Sequence, residues 1–217
     1  MQCANRVVIL IPLVAQAVLC QPALQDVLRG VERRYNPPKT MQFLFQQSYS
    51  GPGRLTRVES GELTLSKPGK MKWDYTIPAG KVFLTDGTHA WFFSPSAGRV
   101  ERSKTKESAD LRAPLAFLMG KLDFQRDFRE FRYTVNNGEF HVIAAPKSDK
   151  SPYTSVEFYV TPEFAIRELA VTGQDKSVMR FRFTLEKSNV NLPAGQFVFH
   201  PPAGVPVVDV NDEDGAR

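Results

Sequence analysis

The sequence predicts a mainly β protein with a few helices, in which an antiparallel sheet curls and carries the helices on its concave side. About ten segments alternate apolar and polar side chains with the period of a half-buried strand. Hairpin-length connections join most of them, which favours antiparallel pairing. Helical periodicity is limited to one segment before the strands and to the middle of the chain, and neither a long repeat nor a parallel βαβ alternation is visible.

The chain of 217 residues is long enough for one domain with a sizeable core. Its 16 phenylalanines and its hydrophobic content of 42% favour a large internal apolar surface. The formal net charge of +5 is spread along the chain, which favours a solvated basic surface over a nucleic-acid site or a membrane-binding patch. We therefore expect no nucleic-acid partner.

Residues 1–20 have the pattern of a secretory signal peptide. Arg6 supplies the positive charge, and residues 7–19 form an apolar run that is too short for a comfortable membrane span. Cleavage is predicted after Cys20, with cleavage after Ala17 as the alternative.

The signal peptide contains both cysteines, Cys3 and Cys20, so the mature chain is predicted to lack a disulfide and a thiolate metal site. A lipid anchor on Cys20 is disfavoured because Leu19 stands where bacterial lipidation needs a small residue. A single domain is predicted over 21–210, followed by a disordered acidic tail over 211–217.

The domain begins with an amphipathic helix over 22–35, where apolar side chains recur at helical spacing. Asn-Pro-Pro at 36–38 ends it. Clean alternation predicts strands over 41–49 and 55–65, with a bulge at Ser-Gly 60–61.

Residues 61–95 are predicted to form a four-stranded meander. Lys-Pro-Gly-Lys at 67–70 and Ile-Pro-Ala-Gly at 77–80 separate its strands, and Asp-Gly at 86–87 is typical of a hairpin turn. The strands carry large apolar side chains, which an ordinary core could absorb: Met71, Trp73, Tyr75, Phe83, Trp91, Phe92 and Phe93.

Residues 111–120 are predicted to form a short helix that is apolar on nearly every side. Such a helix must be covered by protein or must face an apolar cavity, and the residues alone do not separate core packing from a lid. A second short helix is predicted over 122–131. Strands then follow to the end of the domain, with a strong hairpin signal at Asn-Asn-Gly 136–138 and a last strand over 205–210.

Signatures of catalysis are absent from the sequence. His89, His141 and His200 are isolated and lack the spacing of a metal-binding pair. No serine has the G-x-S-x-G context, and no phosphate-binding glycine loop is present. We therefore predict no enzymatic activity, no cofactor and no metal site.

Several motifs resemble one protein family. Residues 61–75 match G-x-L-x-L-x-[RK]-P-G-K-M-x-W-x-Y, and residues 86–93 match D-G-x-x-x-W-F-F. Residues 45–51 match F-x-Q-x-Y-S-G, and residues 197–204 match the closing F-x-F-x-x-P-x-G. Together they resemble the periplasmic outer-membrane lipoprotein carrier family, LolA, over roughly residues 23–209.

The resemblance implies an unclosed β-barrel with a helical lid over a hydrophobic cavity that holds the acyl chains of a lipoprotein. The lid residues that it implies are Leu115, Phe117, Leu118 and Met119. The corresponding cavity residues on the sheet are Phe43, Phe45, Met71, Trp73, Tyr75, Phe83, Trp91 and Phe93.

Lys67 stands where the family usually has arginine. The resemblance implies that this cation donates hydrogen bonds to backbone carbonyls of the lid helices and holds the lid shut until lipid enters, which suits the negative end of a helix. Lysine lacks the five-donor fork of arginine, so it satisfies fewer carbonyls at once. From the residues alone, an exposed lysine at a turn is an equal alternative.

The resemblance also implies a monomeric periplasmic carrier of acylated lipoproteins. Its donor would be an inner-membrane ABC lipoprotein-release transporter, and its acceptor an outer-membrane lipoprotein receptor where one exists. The alternatives are a periplasmic binding or sensor module, which usually needs a second domain, and a carrier of another amphiphilic lipid such as a glycolipid.

Overall fold

The computed structural model describes residues 22–104 and 122–210. Helix α1 spans Leu24–Tyr35, a short helix α2 spans Phe124–Asp127, and a 3-10 turn spans Pro95–Ala97. The strands are β1 (Thr40–Gly51), β2 (Arg54–Ser66), β3 (Lys70–Ile77), β4 (Val82–Asp86), β5 (His89–Phe93), β6 (Val100–Lys104), β7 (Phe128–Asn136), β8 (Glu139–Pro146), β9 (Tyr153–Val160), β10 (Ile166–Gly173), β11 (Val178–Ser188) and β12 (Val207–Asp209). The predicted signal peptide and acidic tail lie outside the described residues.

These strands form one sheet in the order β12-β6-β5-β4-β3-β2-β1-β11-β10-β9-β8-β7. Neighbouring strands pair antiparallel, as predicted, except that β12 runs parallel to β6. Within the described ranges β12 and β7 each pair with one neighbour, so the sheet does not close. The predicted mainly β fold with an unclosed sheet is confirmed.

Aromatic contacts between distant strands show that the sheet curls. The ring centroids of Trp73 on β3 and Phe181 on β11 lie 5.2 Å apart, although β2 and β1 separate the two strands. In a flat sheet, three strand spacings would place the backbones about 14 Å apart. The face that carries these rings is therefore the concave face, and the buried apolar cluster lies against it.

Gly61 lets two aromatic side chains meet across the strand between them. Phe45, Gly61 and Tyr75 are in register on β1, β2 and β3, and the rings of Phe45 and Tyr75 lie 5.0 Å apart. A Cβ atom at position 61 would lie 2.1 Å from the carbonyl oxygen of Asp74. The bulge predicted at 60–61 is present as a register shift between β2 and β3.

Helix α1 packs its apolar side against the core, with Val27 and Tyr35 0% and 1% exposed. The helix approaches the ring of Phe164 at Gly30, where a Cβ atom would lie 2.3 Å from Cδ1 of that ring. The helix predicted over 22–35 is confirmed, with its first turn beginning two residues later.

The second short helix, predicted over 122–131, is only partly correct. Helix α2 ends at Asp127, and Phe128 begins β7 in an extended conformation. From Phe128, which is opposite Pro146, the strand pairs along β8. Strand pairing therefore outweighs the local helical pattern in this segment. Among the described residues, no helix is both long enough and apolar enough to span a membrane.

We expect the Gly61→Ala variant to lose about 1–3 kcal/mol of unfolding free energy, because its Cβ atom meets backbone that cannot move without disturbing β3. Urea unfolding followed by tryptophan fluorescence measures the loss. Gly51→Ala is the matched control, since the added atom comes no closer than 3.4 Å to its neighbours. Equal stabilities for the two variants would contradict the close packing at Gly61.

Candidate functional site

The centre of the concave face is aromatic and buried. Six of the eight predicted cavity residues lie on it, none more than 6% exposed: Phe43, Phe45, Met71, Trp73, Tyr75 and Phe83. The rings of Phe45 and Trp73 meet edge to face with centroids 4.6 Å apart, and those of Phe43 and Phe183 lie 5.6 Å apart. These side chains form a continuous apolar surface.

Trp91 and Phe93 lie on the opposite face of the sheet, so the prediction that they line the cavity is wrong. On β5 it is Phe92 that stands opposite Phe83, and Phe92 packs against the buried core. The sequence Trp-Phe-Phe offers an aromatic side chain in either register, so composition alone does not fix the face. Trp91 instead stacks on Phe199, with ring centroids 5.4 Å apart.

Lys67 contacts the carboxyl end of helix α1. Its ammonium group donates hydrogen bonds to the carbonyl oxygens of Tyr35 and, at 3.3 Å, of Asn36. Carbonyls at this end of a helix lack intrahelical partners and carry negative partial charge, so a cation stabilises them. Burial lowers the pKa of Lys67, because its charged form is partly removed from water.

The side chain of Asn36 connects this helix end to the chain that follows residues 105–121. Its amide nitrogen donates to the carbonyl oxygen of Leu122 at 2.9 Å, and its amide oxygen accepts from the Leu122 N–H at 2.8 Å. One turn earlier on α1, Glu32 accepts from the N–H of Phe124 at 2.9 Å. Sequence reasoning identified neither pair, since both join residues about 90 positions apart that no local pattern links.

Tyr35 holds the same helix end against the sheet. Its hydroxyl accepts a hydrogen bond from the N–H of Ile166 and donates one to Glu186, both at 2.8 Å. Arg34 pairs with the same carboxylate at 2.7 Å. Burial raises the pKa of the Tyr35 phenol, and the negative charge of Glu186 raises it further. The phenol is therefore a neutral structural bridge at physiological pH.

The predicted lid residues Leu115, Phe117, Leu118 and Met119 lie outside the described residues. Among residues 22–104 and 122–210, no group of three or more His, Cys, Asp or Glu side chains could hold a metal ion. The described site is thus a buried aromatic face, with a helix end fixed by Lys67, Asn36 and Tyr35.

An unclosed sheet with a large apolar concave face covered by a helix defines the class of protein to which this chain belongs. The family model described as Outer membrane lipoprotein carrier protein LolA matches residues 38–200, so the chain belongs to that family.

Curated relatives agree with this assignment, and a solved structure has a similar fold. An outer-membrane lipoprotein carrier protein from Chromobacterium violaceum is 26% identical over 193 residues, covering 88% of this chain and 92% of the relative. One from Dechloromonas aromatica is 28% identical over 200 residues, covering 92% and 91%. An uncharacterized conserved protein from Thermus thermophilus has a similar fold, with a TM-score of 0.52 at 11% identity, covering 86% of this chain and 98% of the other.

We expect Lys67→Met to lower the unfolding free energy by about 1–3 kcal/mol, because it removes a charged donor from two helix-end carbonyls. Lys67→Arg keeps the charge and the donors, so its loss should be smaller. Lys70→Met, at an exposed lysine three residues away, is the control and should stay within about 0.5 kcal/mol of wild type. A Lys67→Met protein as stable as the Lys70→Met protein would show that the helix-end contact contributes nothing.

We expect Asn36→Ala to speed hydrogen exchange at the Leu122 amide about fivefold, since one hydrogen bond stabilises the local structure by about 1 kcal/mol. Exchange followed by NMR reports this amide directly. Gln25→Ala, on the exposed side of α1, is the control and should leave the rate unchanged. An unchanged rate in Asn36→Ala would rule out Asn36 as the support of residue 122.

Proposed function

We propose that this protein is a periplasmic carrier that binds the acyl chains of lipoproteins in a hydrophobic cavity and takes them from the inner to the outer membrane. The observation that carries the proposal is the aromatic concave face beneath α1, in a chain of the LolA family. The names of the curated relatives support the transport role. In this role the protein transports its cargo without chemical change, so we propose no enzymatic activity.

The driving force in this proposal is the transfer of acyl chains from water to the concave face. Each buried methylene contributes about 0.8 kcal/mol, so a few chains give a stable complex. Phe45 contacts both Trp73 and Tyr75 in this structure. An entering chain therefore replaces ring–ring contacts with ring–methylene contacts, and Met71, with its flexible thioether side chain, helps the wall adapt.

The cover of the cavity in this proposal is residues 111–120, with Leu115, Phe117, Leu118 and Met119 turned toward the acyl chains. Asn36 holds Leu122, which directly follows residues 105–121, and Lys67 holds the carbonyl of Asn36. We therefore propose that Lys67 controls the lid through the end of α1. Loss of the Lys67 contacts would loosen the support on which the cover rests.

The proposal includes the route of the cargo. After removal of the signal peptide over 1–20, the domain over 21–210 acts as a monomer in the periplasm. It receives acylated lipoproteins from an inner-membrane ABC transporter and delivers them to an outer-membrane receptor where one exists. Release requires a competing site that buries the chains better than the concave face does.

The test of the proposal is the binding of a synthetic triacylated lipopeptide, measured by fluorescence, together with mass spectrometry of lipids that copurify from the periplasm. Wild type should bind the lipopeptide and retain acylated peptides. Leu118→Glu should reduce binding at least tenfold with unchanged circular dichroism, because a charge in the cover would have to be buried. Val58→Glu is the matched control, since Val58 is already 54% exposed and should bind normally.

The outcomes separate the proposal from its alternatives. A copurified glycolipid in place of acylated peptides would assign the protein to another amphiphile. The absence of any bound lipid, together with no binding of the lipopeptide, would favour a sensor module. Normal binding by Leu118→Glu would remove Leu118 from the cover.

A further inference from the structure

The concave face changes from apolar to polar toward the β1–β2 hairpin. The row that contains Phe45 is aromatic, but the next inward-facing residue of β1 is Gln47, which stands opposite Glu59. The row after that pairs Tyr49 with Arg57. A polar shelf therefore adjoins the aromatic surface on the same face of the sheet, and we refer to these two rows with Lys81 as the polar shelf.

The polar shelf surrounds a small pocket with a volume of about 190 Å³. Its lining residues are Gln47, Tyr49, Arg57, Glu59, Lys81 and Met179. The volume holds about six water molecules. It is large enough for a compact polar group and too small for long hydrocarbon chains, which have the aromatic face beside it.

The amide of Gln47 has hydrogen-bonding capacity that the protein uses only weakly. Gln47 is 7% exposed. Its oxygen accepts from the hydroxyl of Tyr75 at 3.0 Å, whereas its nitrogen, which has two N–H donors, donates to the sulfur of Met179 at 3.5 Å. A thioether is a weak acceptor, so an oxygen acceptor in the pocket would form a stronger bond with this nitrogen.

Lys81 and Glu59 form a charge-balanced pair beside this amide. The ammonium of Lys81 lies 2.6 Å from the carboxylate of Glu59 and 4.4 Å from the centre of the Tyr75 ring. The side chains of Lys81 and Glu59 are 13% and 19% exposed. Because the lysine charge is already compensated beside the amide, a neutral oxygen acceptor suits this position, whereas the exposed Arg57 gives the outer row of the pocket an excess positive charge.

From these contacts we infer that the polar shelf binds the ester carbonyls that join acyl chains to the glyceryl group of the lipoprotein cysteine. This inference rests on the proposed carrier function and specifies which part of the lipoprotein the polar shelf binds. The ring centroids of Tyr75 and Phe45 lie 5.0 Å apart, and the Tyr75 hydroxyl donates a hydrogen bond to the amide oxygen of Gln47. In this inference, a chain that lies on the aromatic face ends with its carbonyl beside the Gln47 amide.

The experiment compares two synthetic diacylglyceryl-cysteine peptides that differ only in having ester or ether linkages. Wild type should bind the ester peptide about 3- to 10-fold more tightly, the effect of one hydrogen bond. Gln47→Leu should abolish this preference, so that it binds the ester and the ether peptide with equal affinity. Gln46→Leu, the same change on the opposite face, should keep the preference.

Gln47→Glu covers the case in which Gln47→Leu does not fold. It retains the acceptor for Tyr75 and removes both amide donors, so it too should lose the ester preference. Equal binding of both peptides by wild type, or a full ester preference in Gln47→Glu, would overturn the inference. If neither peptide binds, the carrier proposal itself fails.

A parallel pair of ester- and ether-linked phosphatidylethanolamines distinguishes the source of the carbonyls. Phospholipids carry the same ester groups, so a preference in this pair alone would assign the shelf to phospholipid and overturn the lipopeptide assignment. A preference in the lipopeptide pair, present in wild type and absent in Gln47→Leu, supports the inference.

Discussion

The contact of aromatic rings across several strands is the interaction on which the rest of this structure depends. Rings from β1, β3 and β11 meet only because the sheet curls, and they make the centre of the concave face apolar. Such a face must be covered, which explains why α1 is fixed so firmly to the sheet. Gly61 belongs to the same arrangement, because any side chain there would collide with β3 and separate Phe45 from Tyr75.

The two ends of the concave face have different chemistry. At one end, Lys67 and Asn36 fix the carboxyl end of α1 and the start of the chain after residues 105–121. At the other end, the rows from Gln47 to Arg57 provide polar groups beside the rings. An amphiphile has a matching arrangement, in which a hydrocarbon part is followed by a polar group. The face is therefore directional along its strands, and its orientation matches the proposed cargo.

The strands, helix α1 and the bulge at 60–61 could be predicted because each depends on local alternation, helical spacing or a glycine. The start of β7 at Phe128 could not be predicted, because pairing with β8 determines where this strand begins. The register of β5 decides the faces of Trp91 and Phe93, and a run of three aromatic residues conceals that register. The bond between Asn36 and Leu122 joins distant parts of the chain, so only the folded structure reveals it. The parallel pairing of β12 depends in the same way on where the chain returns after β11.

The separation of β12 from β7 in the strand order has a mechanical consequence. In a closed barrel, a wider interior requires broken ladder bonds or a shift in register, because the circumference is set by the number of strands and their stagger. Among residues 22–104 and 122–210, the two terminal strands of this sheet pair with one neighbour each. The sheet can widen or narrow by changing its curvature while every interstrand hydrogen bond is kept. The width of its interior can therefore adjust to the volume that it encloses.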